Sequence, residues 1–248
     1  MESVHQPTNA SANRRTDPLL IVWRICIAFL IIVHLFPIRF GLLRLLMVAV
    51  MAAAWVLTPI AAKNKTGRIA WAASTAIMAL LFFGPARPVD KAELRQQYVN
   101  GLRNYLGTRY IWGGENARGV DCSGLVRIGL IDADFRLGVT TLNPALVREG
   151  ASLWWHDCSA LALKQEYRQN TRAVMDVDSL NDADYARLLP GDICVTENGE
   201  HTLAFIGNKE WIEADPAIMK VHTITAPSKD IFFNREMRIL RWRQLNSH

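Results

Sequence analysis

The chain has no Cys-x-x-Cys pair and no Cys/His cluster at zinc-ligand spacing among its four cysteines and six histidines. Disulfide frameworks and structural metal sites depend on such spacings, so neither is expected. Charge of one sign is not dominant either: 28 Lys and Arg stand against 23 Asp and Glu, a formal net charge of +5. That balance suits anionic partners in general and selects none among nucleic acid, lipid headgroups and cell-wall polymers. A small-residue cleavage site is missing after the first apolar run, which ends in Phe36-Pro37, so a removable secretory leader is not expected.

What the chain has in excess is apolar residues, at 50%, and they concentrate in the first third. Residues 1–18 are polar and turn-rich and read as a disordered cytoplasmic tail. Three apolar runs fill residues 19–84: Leu19 to Phe36, Gly41 to Ile60, and Ile69 to Gly84. A bilayer-crossing helix needs roughly 17–25 mainly apolar residues. Two of the runs have that length, and the third is short but nearly uncharged. Basic residues bias a flank toward the cytoplasm. Arg14 and Arg15 precede the first run, and Lys63, Lys65 and Arg68 lie between the second and third. Three spans satisfy both clusters and carry everything after Gly84 outside; two spans would leave it inside.

Residues 85–248 read as the soluble part. Asp90 and Glu93 form a capping-box pattern, and Leu94, Tyr98, Leu102 and Tyr105 follow at helical spacing. Paired glycines at 113 and 114, then Gly119, mark a tight segment before "DCSGLVRIGL". Cys122 therefore stands where a loop turns into a helix, and there free N–H groups and the helix dipole favour a thiolate. A small buried cysteine behind an Asp121 N-cap is the alternative. Downstream, "DICVT" and "HTLAFIG" read as strands around a turn, with His201 opening the second. Glu213, in the returning strand "EWIEADP", shares a sheet face with His201 if the connecting loop has an odd length. A two-residue loop would put it on the other face.

With these residues in place, "YIWGG", "DCSGLV", "LLPGDICV" and "HTLAFIGNKEWIEA" together resemble the NlpC-type cysteine peptidases, papain-like enzymes that cut cell-wall peptides. The resemblance covers roughly Leu94 to Pro216. It implies an α+β fold in which the cysteine-bearing helix packs on a small antiparallel sheet. By the same resemblance Cys122 is the nucleophile, His201 the general base, and Glu213 the residue that orients it, with Asp215 the fallback. Tyr110 and Trp112, with Asp121 and Ser123, match substrate-side positions; the last two hold a free peptide amino terminus in some relatives. The implied substrate is the stem peptide of peptidoglycan, commonly at the D-glutamyl–diaminopimelate bond, with no metal, cofactor or nucleic acid. The implied location is the outer face of a bacterial inner membrane.

Two features depart from the family pattern. Glutamate stands where histidine is more usual at the third position, though a carboxylate can orient and stabilise an imidazolium as well. The stretch at about 140–187 is long, and it reads as a helical insert holding a second Asp-Cys-Ser at Asp157, Cys158 and Ser159. Trp154, Trp155, Leu161 and Tyr167 give that insert the look of a packed cap, with a lid bearing Trp155 and His156 as the alternative. A Cys158–Cys194 disulfide stays open. His222 and the C-terminal strands are assigned no chemistry. A lipid-directed thiol amidase or acyltransferase, or a non-catalytic wall-binding module, are the rival functions.

Overall fold

The computed structural model describes residues 17–246, so the tail expected at 1–18 lies almost wholly outside the described residues. Helices α1 (Pro18–Leu35), α2 (Gly41–Ala61) and α3 (Lys65–Phe83) take up the three apolar runs. Asp17 and Asn64 cap the first and third by accepting from Leu19 and Gly67 N–H groups. All three are long and apolar enough to cross a membrane. They turn large apolar side chains outward, Ile25, Leu42 and Leu80 each being more than 60% exposed. A buried helical hairpin would hide those side chains.

Helix α4 (Lys91–Arg103) starts at Asp90, whose side chain accepts from the Ala92 and Glu93 N–H groups. Its expected stripe of Leu94, Tyr98 and Leu102 is fully buried. A short ribbon of β1 (Glu115–Asn116) and β2 (Gly119–Val120) leads into α5 (Cys122–Thr140). Helices α4 and α5 cross closely, since a Cβ on Gly101 would come within 2.8 Å of the Gly129 carbonyl oxygen.

The stretch at 140–187 is α-helical only in its first half, as α6 (Pro144–Trp155) and α7 (Ala160–Lys164). Its second half supplies β3 (Thr171–Val177), one of the two edge strands of the main sheet. The expectation of a helical insert misses this strand because "TRAVMDV" is polar on its open edge and bulged between Ala173 and Met175, which interrupts its alternation. Cys158 sits in the break between α6 and α7 rather than inside a helix, and Ser159 caps α7.

The remaining strands are β4 (Ile193–Thr196), β5 (Thr202–Gly207), β6 (Glu210–Asp215), β7 (Lys220–Thr225) and β8 (Met237–Trp242). They form a six-stranded antiparallel sheet in the order β3-β8-β4-β5-β6-β7. Alternation divides its side chains. Ile193, Val195, Ala204, Ile212 and Ala214 join α4 and α5 in one core, while Cys194, Leu203, Phe205 and Trp211 join Leu180 and Phe233 in a second.

The apolar helices dock on this domain at two points. In the loop between α1 and α2, the Pro37 carbonyl accepts from Glu115 N at 2.9 Å, and the Phe36 carbonyl accepts from Asn116 Nδ2 at 2.7 Å. Ile38 forms an antiparallel bridge with Gly114. At the end of α3, Arg148 donates to the carbonyls of Phe82 and Gly84 at 2.8 and 3.0 Å.

Candidate active site

Cys122 is the first residue of α5, with Asp121 as its N-cap. The Asp121 carboxylate binds three donors: Gly124 N at 2.6 Å, the Ser123 hydroxyl at 3.0 Å, and Gly113 N at 2.7 Å. The cap thus fixes both the helix start and the paired-glycine loop in front of it. Gly124 is obligatory here, because a Cβ would lie 2.2 Å from the Gly114 carbonyl oxygen. With Gly124 N taken by the cap, the Cys122 and Ser123 N–H groups lie in the first turn, where a helix supplies them no partner.

His201 ends the turn before β5 and is almost fully buried. Thr196 locks its backbone, with the His201 N–H donating to Thr196 Oγ1 and the His201 carbonyl accepting from Thr196 N, each at 3.0 Å. Its ring stacks on Phe232 at a centroid distance of 3.8 Å and an interplanar angle of 16°. Nε2 hydrogen-bonds Glu213 Oε2, which leaves Nδ1 for a second partner; the Cys122 thiol lies against the carbonyl oxygen of the preceding residue, Glu200, at 3.9 Å. Burial opposes charge on this ring, but the hydrogen bonds and charges of Cys122 and Glu213 outweigh it and hold the imidazolium up to about 9.

The loop between β5 and β6 has two residues, Asn208 and Lys209, a length expected to put Glu213 on the wrong face. A bulge corrects the parity. Gly207 pairs with Glu210, but Phe205 pairs with Trp211 and Ala204 with Ile212, so one extra β5 residue is left unpaired. The shifted register puts Glu213 opposite Leu203 and on the face of His201. Gly207, at φ +101°, gives the left-handed backbone that this tight connection needs.

Asp215 does not touch His201. It joins His222 instead, the direct cross-strand partner of Glu213. His222 Nε2 lies 3.4 Å from Glu213 Oε1 and 3.3 Å from Asp215 Oδ2. Glu213, Asp215 and His222 are the metal-capable grouping among the described residues. Neither His222 Nε2 nor Glu213 Oε1 has a hydrogen-bond partner among the described residues, so His222 bears on the Glu213 carboxylate by proximity and not through a formed hydrogen bond. The sequence reading set His222 aside because its pairing with Glu213 depends on the β6–β7 register; Phe232 left no signal at all.

Tyr110 packs beside the thiol, and burial, then the charges of Cys122 and Asp121, push its phenol up. Trp112 is 79% exposed on the glycine loop. The second Asp-Cys-Ser has a different job. Cys158 is buried in the main core, and burial pushes its thiol up to about 11. Cys158 and Cys194 are both free, and they belong to the two separate cores. The ring contact of Trp155 is with Trp154, and His156 Nδ1 contacts the Ser152 carbonyl. Asp157 accepts from Arg127 at 2.7 Å, and Arg127 also pairs with Glu115. Arg44, projecting from α2, completes this cluster at 2.6 Å from Glu115; Arg44, Glu115 and Arg127 are buried and Asp157 is exposed at its edge.

No curated protein matches the chain. Among solved structures, NlpC1 from Trichomonas vaginalis is similar at 18% identity and a TM-score of 0.42, over 63% of this chain and 46% of that one. The chain thus spans about half the length of that protein. The peptidoglycan hydrolase RipB from Mycobacterium tuberculosis is similar at 18% identity and a TM-score of 0.38, over 73% and 88%. The NlpC/p60 domain of the peptidoglycan hydrolase SagA is similar at 21% identity and a TM-score of 0.35, over 61% and 98%. The NlpC/P60 family description matches residues 107–241, more than half of the chain and the whole stretch from the glycine loop to β8, so the chain belongs to the NlpC/P60 family.

Proposed function

We propose that the protein is a membrane-anchored thiol hydrolase that cleaves a peptide bond in peptidoglycan stem peptides, with Cys122, His201 and Glu213 as its catalytic set. The observation that carries this reading is the bond from the buried His201 ring to the fully buried Glu213 carboxylate, with the Cys122 sulfur on the carbonyl of Glu200, the residue before that histidine. A structural histidine has no need of a thiol at a helix start on one side and a buried carboxylate on the other. Membership of a family that includes peptidoglycan hydrolases supports the substrate class.

In this mechanism the Cys122 sulfur attacks the scissile carbonyl carbon while its proton resides on His201 Nδ1. Glu213 holds the ring in place and stabilises its positive charge. The carbonyl oxygen becomes an oxyanion that accepts hydrogen bonds from backbone N–H at the start of α5 and from the Tyr110 hydroxyl. As the C–N bond breaks, His201 returns the proton to the departing amine and leaves a Cys122 thioester. Water, deprotonated by His201, hydrolyses the thioester and restores the thiol. Asp121 has spent three of its roughly four acceptor sites, so one remains for a backbone N–H of the substrate peptide beside Ser123 and Trp112. The D-glutamyl–diaminopimelate bond is the proposed cut. The three apolar helices support a membrane location, and the basic flanks before α1 and between α2 and α3 favour the outer face for the catalytic domain.

The test is to incubate the full-length protein in nanodiscs with purified stem peptides and identify products by mass. Two fragments split at the diaminopimelate amine support the proposal. Intact peptides, alongside turnover of a lipid amide, would favour a lipid-directed thiol amidase instead.

A further inference from the structure

Only residues 36–40 join α1 to α2, so this loop lies within a turn of both helix ends. Helices of 18 and 21 residues use almost their full length to cross about 30 Å of hydrocarbon. The loop is therefore held at the headgroup layer. Its exposed Phe36, Ile38 and Phe40, together with the exposed Trp112 of the neighbouring glycine loop, suit that layer.

The same loop is bonded to the backbone in front of the nucleophile. Ile38 bridges to Gly114, and the Gly114 carbonyl accepts from Asp121 N at 3.1 Å. Ile38 is thus two strand spacings of about 4.8 Å and one residue step of about 3.8 Å from Cys122, at most about 14 Å. The contact is also fixed. Arg44 and Glu115 are both buried in it, and parting them would cost Arg44 its closest buried partner. Arg148 clamps the end of α3, and the following linker is tied down by the Arg87 N–H to Asn143 Oδ1. No free stalk lets the domain rise from the surface.

We infer that this cleft acts on stem peptides carried by a membrane lipid, as a glycopeptide on a lipid pyrophosphate, in preference to peptides of the polymerised wall. The inference rests on the hydrolase reading above. A five-residue peptide spans about 17 Å when extended, so one whose sugar sits at the headgroups reaches Cys122 directly. A peptide held several tens of Å above the bilayer does not.

The test uses the full chain in proteoliposomes with one stem peptide presented in three ways: on a lipid pyrophosphate glycopeptide, on the same lipid above a semi-rigid spacer of 16 prolines (about 50 Å), and free in solution. Anchoring concentrates both lipid-borne substrates equally at the surface, so their comparison isolates height. The inference expects kcat/KM at least tenfold higher without the spacer than with it. Equal or faster cleavage of the raised peptide overturns it and leaves the hydrolase reading intact. Failure to cleave any of the three, the free peptide included, overturns both.

Discussion

Replacing Glu213 with glutamine removes one buried negative charge and leaves the side-chain shape nearly unchanged. Glu213 is fully buried and bonded to His201 Nε2. Two unit charges about 4 Å apart interact by about 4 kcal/mol at an effective dielectric of about 20. At about 1.4 kcal/mol per pK unit, that is an upper bound near 3 units, and measured effects of a neighbouring opposite charge run from about 1 to 3. The His201 imidazolium, held up to about 9 in the parent, should therefore titrate between about 6 and 8 in Glu213→Gln. Catalysis needs the protonated ring paired with the thiolate, so the alkaline limb of kcat/KM should move down by the same amount. Above the new limb the variant should be about 10–10³ times slower, a decade for each unit by which the limb has moved. Stability follows the same sign. A raised histidine pKa stabilises the fold fully below about 6.5, its unfolded value, and that contribution fades as pH rises through about 9. The parent should lose more thermal stability than the variant between pH 6.5 and 9. The assay is a pair of pH–rate profiles with matched melting curves. If the alkaline limb of Glu213→Gln stays near 9, Glu213 does not set the charge state of His201.

Three further changes probe the surroundings. Arg44→Met breaks the buried pair between α2 and Glu115; because Arg127 still faces Glu115, the cost should be about 1–3 kcal/mol, below that of a fully orphaned charge, and should appear as a lowered melting midpoint in nanodiscs. An unchanged midpoint would mean the two parts are not coupled. His222→Ala should slow turnover about two- to tenfold, since it loosens the Glu213 carboxylate without removing its charge; a loss as large as that of Glu213→Gln would make His222 a catalytic group. Gly124→Ala forces a Cβ against the Gly114 carbonyl, so activity should collapse while α1 to α3 keep their helical signal, and full activity would refute the close approach at the α5 start.

The local signals were legible wherever chemistry and backbone shape demanded particular residues. Paired glycines, an acidic N-cap and a cysteine announced the start of α5, and the order of His201 and Glu213 announced the strands beside it. The three apolar helices were readable from length and composition, and the α+β class followed from the family resemblance. What stayed hidden depended on distant pairing. The Phe205–Gly207 bulge, which returns Glu213 to the face of His201, is one extra residue invisible to a parity argument. The edge strand β3 is specified by β8, some 65 residues downstream, more than by its own pattern. By position alone Arg44 is one basic residue inside the apolar run Gly41 to Ile60, and Asp157 is part of a repeated triplet. Only their meeting at Glu115 and Arg127 explains both.

The most direct measurement compares kcat/KM on a purified stem peptide for three full-length proteins in nanodiscs: the parent, Cys122→Ala and Cys158→Ala. Cys122→Ala should give no detectable turnover with an unchanged melting midpoint, because it removes the nucleophile from a capped helix start. Cys158→Ala should keep the parent's kcat/KM within a fewfold, because its thiol is a packed core group. Turnover by Cys122→Ala equal to the parent's, or its loss in a folded Cys158→Ala alone, would contradict the account.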